Sequence, residues 1–302
     1  MVDLPAPGPA PAPAVENGKL IPAAMLPPDT SGVQLSPDEV ARYGRHLIRP
    51  EIGMEGQKRL KAASVLCVGT GGLGSPLLLY LAAAGVGRLG IVDFDVVDHS
   101  NLQRQVIHGT GDIGISKVAS AAASVHSVNP EIDFHTHPVR MDATNILEVF
   151  GGYDIIADGS DNFATRFLVN DACHLAGKTL VSAAILRFEG QISTFKSHLG
   201  PEFPCYRCLY REAPPAGLVP SCSEGGVFGA LAGVVGSLQA VEILKEAMAV
   251  GDTLAGRLML YDALGAEFRT IRVKRDASCA LCGDNPTITD LSAHLHVAPE
   301  LA

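Results

Sequence analysis

The sequence predicts an α/β protein with a Rossmann-like, mixed and mainly parallel sheet, helices on both faces of that sheet, and a structural zinc site. Three observations support this prediction. Short apolar runs alternate with helical stretches along most of the chain, a glycine-rich turn follows the first apolar run, and four cysteines form two CxxC pairs. The 302 residues, 47% of them hydrophobic, can build a large domain with its own core.

The first predicted helix follows a helix-start signal. Ser36 can cap a helix with its hydroxyl group, and Pro37 suits the first turn. The two acids that follow favour the positive end of the helix dipole. We therefore predict a helix that runs through Val40 to about Leu47.

Alternating apolar runs and helical stretches follow. The run Ser64–Val68 is continuous and rich in β-branched residues, which predicts a strand buried on both faces. By the same criteria we predict strands at Ser64–Val68, Leu89–Val92, Ile132–His137, Asp154–Ala157 and Thr179–Ala183, and helices at Ser75–Ala84, Lys117–Val128, Thr144–Phe150 and Asn162–Ala176. Such alternation builds a parallel sheet covered by helices.

The alternation ends beyond Phe188. The sequence then predicts hairpin-like strands, a cysteine-bearing loop, an apolar helix after Gly225, and strands at Leu258–Tyr261 and Glu267–Val273. The uncharged run Gly225–Val241 is shorter than the roughly 20 apolar residues that a membrane span requires, so we interpret it as a buried helix. We expect one domain over residues 35–285.

The two ends of the chain are interpreted as tails. Residues 1–34 are rich in Pro and Ala, a composition that predicts a disordered tail, and residues 286–302 form a predicted C-terminal tail. The start of the chain has no Lys or Arg and many prolines, unlike a secretory signal. A net charge of −9 without a Lys/Arg run argues against nucleic-acid binding. We expect a cytoplasmic protein with neither a membrane nor a nucleic-acid partner.

A glycine-rich turn directly follows the first predicted strand. The residues from 69 to 74 read GTGGLG and fit the pattern G-x-G-x-x-G, with glycines at Gly69, Gly71, Gly72 and Gly74. Such a turn lets the backbone approach phosphate groups closely. Asp93 ends the next strand about 20 residues later, where an acid can bind ribose hydroxyls. The two features predict a nucleotide site, with a purely structural turn as the alternative.

Polar residues after Asp93 favour a triphosphate over a nicotinamide cofactor. They comprise Ser100, Asn101, Gln103 and Arg104 in one segment, and Lys117 at a helix start. Leu102, within that segment, is also assigned to the predicted nucleotide site. Fixed cations and magnesium stabilise the charge that develops when a carboxylate attacks an α-phosphate, whereas hydride transfer needs no such cluster. A solvated polar loop is the alternative interpretation of these residues.

A second acidic segment, DGSDN at 158–162, follows another predicted strand. It lies at the carboxyl end of the sheet, where open α/β folds bind ligands. Asp161 is therefore a candidate magnesium ligand, next to Asn162 in the predicted nucleotide site. Alternatively, Asp161 caps the helix that begins at Asn162.

The chain contains seven cysteines and no export signal, which favours a reducing compartment and metal binding. The two CxxC pairs are Cys205 with Cys208 and Cys279 with Cys282. Four thiolates are a standard structural zinc site, which would join the two segments here; two independent redox pairs are the alternative. Cys67 and Cys173 are predicted to pack in the core.

These motifs, GTGGLG, DFDVVDHSNLQRQ, DGSDN, CYRC and CALC, resemble those of bacterial molybdopterin-synthase adenylyltransferases and their ThiF-type, ubiquitin-activating relatives, over residues 36 to about 283. The resemblance implies that Gly72 and Asp93 hold the adenosine part of ATP. It implies phosphate contacts from Ser100, Asn101, Arg104 and Lys117, and a magnesium ion organised by Asp161. Arg45, in the segment RYGRH, would reach the ATP phosphates of a neighbouring subunit, which implies a homodimer.

The resemblance also implies a reaction. ATP would be joined to the terminal glycine carboxylate of a ubiquitin-like sulfur carrier that ends in Gly-Gly, giving an acyl-adenylate and pyrophosphate. The molybdopterin-synthase small subunit is the expected carrier, with the thiamine-pathway carrier or another one as alternatives. Cys222 matches a cysteine that some relatives use for acyl or sulfur exchange. The chain ends about 20 residues after Cys282, too short for a fused rhodanese domain, so we expect a separate sulfur donor.

Two other functional classes remain open. A nicotinamide-dependent oxidoreductase would use the same glycine turn and Asp93, but it would leave the cations at 104 and 117 and the acid at 161 without a role. A catalytically silent zinc scaffold that binds a ubiquitin-like partner would support no pyrophosphate exchange.

Overall fold

The computed structural model describes residues 28–214 and 226–295, together with the backbone of two short strands, β1 (Ala14–Glu16) and β2 (Lys19–Ile21). These two strands pair antiparallel. The rest of residues 1–27, and residues 296–302, lie outside the described residues. The predicted domain limits at 35 and 285 therefore stay predictions.

The predicted first helix forms as two short helices, α1 (Pro37–Arg42) and α2 (Gly44–Leu47), which meet at Tyr43. Ser36 caps α1 as predicted. Its hydroxyl oxygen accepts a hydrogen bond from the backbone N–H of Glu39 at 3.1 Å, and the Glu39 carboxylate accepts one from the backbone N–H of Ser36 at 2.7 Å. This reciprocal pair satisfies two backbone donors at the helix start.

A third helix, α3 (Gly53–Ala62), was not predicted from the sequence. Its sequence GMEGQKRLKA contains two glycines and few apolar residues, so it shows no clear apolar period. Leu60 anchors the helix in the core, where its side chain is fully buried. Tertiary packing therefore stabilises a helix that local propensity does not predict.

The alternating strands and helices are confirmed, with ends that differ from the prediction by a few residues. They are β3 (Ser64–Val68), α4 (Gly74–Ala84), β4 (Arg88–Val92), α5 (Lys117–Val128), β5 (Asp133–His137), α6 (Ile146–Phe150), β6 (Ile155–Asp158), α7 (Phe163–Ala176) and β7 (Thr179–Leu186). Strand β7 extends three residues beyond the predicted end at Ala183 because its residues from Leu180 to Leu186 pair with the next strand.

The later elements confirm the change of pattern beyond Phe188. They are β8 (Glu189–Phe195), α8 (Tyr206–Leu209), α9 (Gly229–Met248), β9 (Arg257–Asp262) and β10 (Glu267–Arg272). A two-residue turn, Arg187 and Phe188, joins β7 to β8 in a hairpin. Among the described residues, no helix combines the length and the hydropathy that a membrane span requires.

Eight strands form one mixed sheet, in the order β10-β9-β8-β7-β6-β3-β4-β5. Neighbours from β5 to β7 are parallel, and neighbours from β7 to β10 are antiparallel. At the centre, Val65 of β3 lies opposite Leu89 on one side and Ile155 on the other. The chain thus winds outward from β3 in both directions.

Strand β3 divides the core between the two faces of the sheet. Val65 and Cys67 pack in a core cluster with side chains from α4 and α9, whereas Leu66 and Val68 pack in a second cluster with side chains from α6 and α7. Helices therefore cover both faces, and the predicted fold class is confirmed. The switch in winding direction between β3 and β6 leaves a crevice at the carboxyl ends of these strands, where such folds bind ligands.

Candidate active site

A cavity of about 490 Å³ opens at the carboxyl ends of the parallel strands, and its wall includes Val68 of β3, Val92 of β4 and Gly159 after β6. Its volume lies in the range of ligand-binding clefts. The predicted site residues that line it are Gly69, Gly71, Gly72, Asp93, Arg104, Lys117, Asp161 and Asn162. Residues distant in sequence thus meet at one concave surface.

The other predicted site residues lie elsewhere: Arg45, Gly74, Ser100, Asn101, Leu102 and Gln103 do not line this cavity in the described part of the chain. Gly74 allows close packing instead, because a Cβ atom there would lie 2.0 Å from the carbonyl oxygen of Gly69. The Ser100 hydroxyl donates a hydrogen bond to Asp98 Oδ1 at 2.5 Å. Arg45 is exposed on α2.

The glycine turn is tied to the end of β4 through Asp93. The backbone N–H and the hydroxyl of Thr70 donate to Asp93 Oδ2 at 2.9 and 2.8 Å. Gly69 has φ of +91°, a conformation that favours glycine, so the chain can leave β3 in a tight turn. Each carboxylate oxygen can accept more than one hydrogen bond, so Asp93 can also bind a ribose hydroxyl.

Two predicted cations line the cavity beside the glycine turn. Lys117 is largely buried, and its Nζ lies 2.8 Å from Asp95 Oδ2, an acid that also lines the cavity. Arg104 Nη1 donates to the carbonyl oxygen of Ser100 at 3.2 Å. A Cβ atom on Gly72 would lie 3.4 Å from Arg104 Cγ, so the arginine side chain runs along the turn.

Asn162, and not Asp161, caps helix α7. Its side-chain oxygen accepts a hydrogen bond from the backbone N–H of Thr165 at 2.8 Å. The alternative that Asp161 serves as the cap is therefore wrong. Asp161 is exposed beside the cavity. Its carboxylate has the oxygen donors that Mg²⁺ prefers.

Buried Asp158 fixes the turn that carries Asp161. One of its oxygens accepts hydrogen bonds from the backbone N–H and the hydroxyl of Ser160, at 3.0 and 2.6 Å, and the other accepts from the Ser182 hydroxyl at 3.0 Å. The Asp158 side chain is fully buried. The turn is therefore held by bonds that solvent does not weaken.

Among the cavity residues that were missing from the predicted site, Arg166 and Gln105 are both buried and polar. Arg166 on α7 is 7% exposed, and its guanidinium donates to the Ser160 carbonyl oxygen at 3.3 and 2.9 Å. Within the described residues it forms no ion pair with an acid, so a buried positive charge lies at the cavity wall without an acidic partner. Gln105 is buried, and its Oε1 has no hydrogen-bond partner among the described residues. The helical period, one turn after the Asn162 cap, could have indicated Arg166.

Another part of the cavity wall is apolar. The loops after β4 and β5 contribute Phe94, Val139 and Met141, and α7 contributes Leu168. The Arg140 guanidinium lies 4.8 Å from the centre of the Phe94 ring. The wall thus combines apolar surface with cations, as a ligand with a flat ring and a charged group would require.

The four CxxC cysteines meet although about 70 residues separate the pairs. Neighbouring sulfur atoms lie 3.4 to 3.9 Å apart. A zinc ion with ~2.3 Å bonds to four thiolates requires sulfur–sulfur distances of about 3.8 Å. The backbone N–H of Asp276 also donates to Cys208 Sγ at 3.3 Å, which favours a thiolate. The cluster could therefore hold zinc as predicted.

The remaining cysteines agree with the prediction where the structure describes them. Cys67 and Cys173 are buried in the two core clusters, and burial raises the pKa of each thiol. Cys222 lies outside the described residues, so its predicted part in acyl or sulfur exchange stays a prediction.

Comparison with known families is consistent with this geometry. A model of the ThiF family matches residues 43–281, which is most of the chain. The chain belongs to the ThiF family. This confirms the resemblance drawn from the glycine turn, the SNLQRQ segment and the paired cysteines.

Several relatives of this ThiF-family protein share about 50% sequence identity with it over the aligned residues. "Adenylyltransferase and sulfurtransferase MOCS3" of Bos taurus is 51% identical over 277 residues, which cover 91% of this chain and 60% of the relative. "Probable adenylyltransferase/sulfurtransferase MoeZ" of Mycobacterium tuberculosis is 54% identical over 261 residues, 85% of this chain and 64% of the relative. The chain thus spans less than two thirds of the length of these relatives.

A third relative is matched along almost its whole length. "Sulfur carrier protein adenylyltransferase" of Thermus thermophilus is 51% identical over 256 residues, 84% of this chain and 94% of the relative. Among solved structures, E. coli MccB has a TM-score of 0.72 at 22% identity, covering 84% of this chain and 75% of that one. PaaA has a TM-score of 0.67 at 20% identity, covering 81% and 77%. These structures share the fold of the ThiF-family chain.

Proposed function

We propose that this protein is an adenylyltransferase that uses ATP and Mg²⁺ to activate the C-terminal glycine carboxylate of a small ubiquitin-like sulfur carrier ending in Gly-Gly. The observation that carries the proposal is the meeting of the glycine turn, Arg104, Lys117 and Asp161 at one cavity. The relatives named adenylyltransferases support it. A hydride-transferring enzyme would leave these charged residues without a role.

In the proposed complex, each part of the nucleotide lies next to side chains that can bind it. Asp93 would accept hydrogen bonds from ribose hydroxyls, and the apolar wall with Phe94 and Met141 would contact the base. Arg104 and Lys117 would contact the phosphates beside the glycine turn. Lys117 would then interact with a phosphate as well as with Asp95, its partner in the present structure.

The reaction requires an anionic nucleophile and a stabilised leaving group. The carrier carboxylate is ionised at neutral pH, and one of its oxygens attacks the α-phosphorus of ATP. The bond between that phosphorus and the oxygen that bridges the α- and β-phosphates breaks, and pyrophosphate leaves. No protein base is needed. Arg104, Lys117 and Arg166 would offset the negative charge that develops. A magnesium ion bound at Asp161 would supply further charge neutralisation on the phosphates.

We extend the proposal to partners, location and metal. The molybdopterin-synthase small subunit is the proposed carrier, in keeping with the motif resemblance, and a separate protein is the proposed sulfur donor. Arg45 is exposed and does not line the cavity of its own chain, which is compatible with a homodimer in which it serves the other subunit. We propose a structural zinc ion at the cysteine cluster and a cytoplasmic location.

ATP–pyrophosphate exchange tests the proposal directly. Labelled pyrophosphate should enter ATP only when enzyme, Mg²⁺ and a carrier ending in Gly-Gly are all present. We expect Asp161→Ala to reduce the exchange rate by about 100-fold, the effect typical of losing one group that stabilises transition-state charge. Asp252→Ala, which removes an exposed carboxylate away from the cavity, should leave the rate unchanged.

Two results would contradict the proposal. Absence of exchange with every Gly-Gly carrier, together with binding of NAD in preference to ATP by calorimetry, would favour an oxidoreductase. If the Asp161→Ala variant exchanged pyrophosphate at the wild-type rate, Asp161 would have no role in the reaction. Comparing kcat/KM for the molybdopterin-synthase and thiamine-pathway carriers then identifies the carrier.

A further inference from the structure

The segment beyond the cysteine cluster returns to the cavity. We name residues 284–295 the C-terminal strap; they follow Cys282 and end with His294 and Leu295, which both line the cavity. The match to the ThiF family model ends at residue 281, before this segment. Its sequence predicted a tail, yet the structure holds it in place at three points.

The first two anchors lie next to the cysteine cluster and in the core. The backbone N–H groups of Thr287 and Ile288 donate to the carbonyl oxygen of Ala280 at 2.8 and 2.9 Å, and Ile288 packs against the cluster. Leu291 is 6% exposed and belongs to the same core cluster as Phe167 of α7. Burial of the Leu291 side chain stabilises the bound strap because apolar surface is removed from water.

The third anchor is a buried hydrogen bond between two side chains. His294 Nε2 lies 2.8 Å from Asp171 Oδ2, and the two side chains are 8% and 0% exposed. The same carboxylate accepts hydrogen bonds from Arg207 at 2.8 and 2.6 Å. Arg207 lies between the first two cysteines of the cluster, so Asp171 joins three parts of the chain: α7, the cysteine cluster and the strap.

The anchored strap forms one part of the cavity wall. Helix α7 supplies Thr165, Arg166 and Leu168 to that wall, and the strap supplies His294 and Leu295. Leu295 is 56% exposed in the absence of a ligand. A ligand in the cavity would cover part of this apolar side chain, which would favour binding.

We propose that the C-terminal strap completes the nucleotide cavity and that His294 is its positioning residue, holding Leu295 at the wall through the pair with Asp171. This rests on the proposed function, in which the cavity binds ATP. A wall that is held in place before binding adds affinity because the ligand does not have to order it. His294 acts on the nucleotide through Leu295 and the strap backbone.

Calorimetry with α,β-methylene ATP and Mg²⁺ tests the strap on the full-length protein and matched variants. We expect His294→Ala, Leu295→Ala and a chain ending at Ala293 to weaken nucleotide binding by about three- to tenfold, the range expected when an ordered contact is lost. A chain ending at Leu295, and His126→Ala at an exposed histidine of α5, should bind within about twofold of wild type. The KM for ATP should rise with kcat nearly unchanged.

The results separate the strap from the proposed function. If wild type does not bind the analogue, both proposals fail. If wild type binds and all strap variants bind equally well, the strap proposal alone fails. Leu295→Ala leaves the contact between His294 and Asp171 intact. If this variant bound the analogue normally, while His294→Ala alone bound weakly and had a low thermal midpoint, the strap would have a purely structural role. That result would also overturn the strap proposal.

Discussion

Lys117 Nζ lies 2.8 Å from Asp95 Oδ2, and the lysine side chain is only 8% exposed. The pair holds a cation beside the glycine turn before any ligand arrives. Such preorganisation matters because a fixed charge in a partly dry site stabilises developing negative charge without having to reorient. The first prediction follows from this pair.

We expect Lys117→Ala to reduce the rate of ATP–pyrophosphate exchange by about 100-fold, because a preorganised cation is lost from the transition state. Lys117→Arg should retain part of the activity, since it keeps the charge but changes its geometry. Lys274→Ala, at an exposed lysine outside the cavity, is the matched control and should exchange normally. If the Lys117→Ala variant exchanged pyrophosphate at the normal rate, the lysine would not contribute to catalysis.

The cap of α7 separates the roles of two neighbouring residues. Asn162→Ala should lower the free energy of unfolding by about 1 kcal/mol, the usual effect of losing a helix cap, and Asn162→Asp should restore most of it. Asp161→Ala should leave stability nearly unchanged while it impairs exchange. Urea denaturation measures the free energy of unfolding of each variant. Equal destabilisation by the two alanine variants would contradict the assignment of the cap to Asn162.

The cysteine cluster should bind one zinc ion per chain, measured by elemental analysis after dialysis. We expect Cys279→Ser to lose most of the metal and to lower the thermal midpoint, because a zinc ion held by the four cysteines would join α8 to the segment at 279–282, and its binding energy would contribute to folding. Cys173→Ala, at a buried thiol outside the cluster, should keep the full zinc content. A metal-free wild-type protein would disprove the zinc assignment.

Asp171 predicts a pH dependence of stability. Burial alone would raise its pKa, but hydrogen bonds from His294 and Arg207 outweigh burial and lower the pKa below 3.8. A carboxyl group with a lowered folded-state pKa stabilises the fold above the unfolded value near 3.8, and this contribution is lost as the pH falls through the folded pKa.

We therefore expect Asp171→Asn to be less stable than wild type by about 3 kcal/mol at pH 7, a magnitude typical of breaking a buried pair. The difference should shrink as the pH falls below about 4, because the carboxyl group of the unfolded wild-type chain then takes up a proton, and it should be lost as the pH falls through the lower folded-state pKa. Denaturant unfolding at several pH values measures it. A difference that stays constant down to pH 3 would indicate that packing, and not charge, is responsible.

Sequence patterns predicted most of the fold because the central parallel strands β3, β4 and β6 are buried on both faces. Ser64–Val68 and Lys117–Val128 have the predicted ends, since a continuous apolar run and a clear helical period leave few alternatives. Helix α3 was missed because its stability comes from the burial of Leu60 and not from its own sequence.

The site was predicted in part for a related reason. Motif residues next to strand ends, such as Asp93 and Asp161, line the cavity because the carboxyl ends of parallel strands lie at one edge of the sheet. Ser100 and Asn101 do not line the cavity, since the turn that follows Asp98 directs them elsewhere. Arg166 belongs to no motif that was considered; the helical period after Asn162 could have indicated it, and its burial beside the cavity identifies it.

Local spacing and residue type specify the alternation of strands and helices, the glycine turn, the paired cysteines and the family, so these features could be predicted from the amino-acid sequence. Other features emerge from packing: Asn162 caps α7, Arg166 faces the cavity without an acidic partner among the described residues, and His294 returns to Asp171, 123 residues away along the chain. Such contacts form when helices and loops pack on a common sheet, so local sequence does not specify which distant side chains meet.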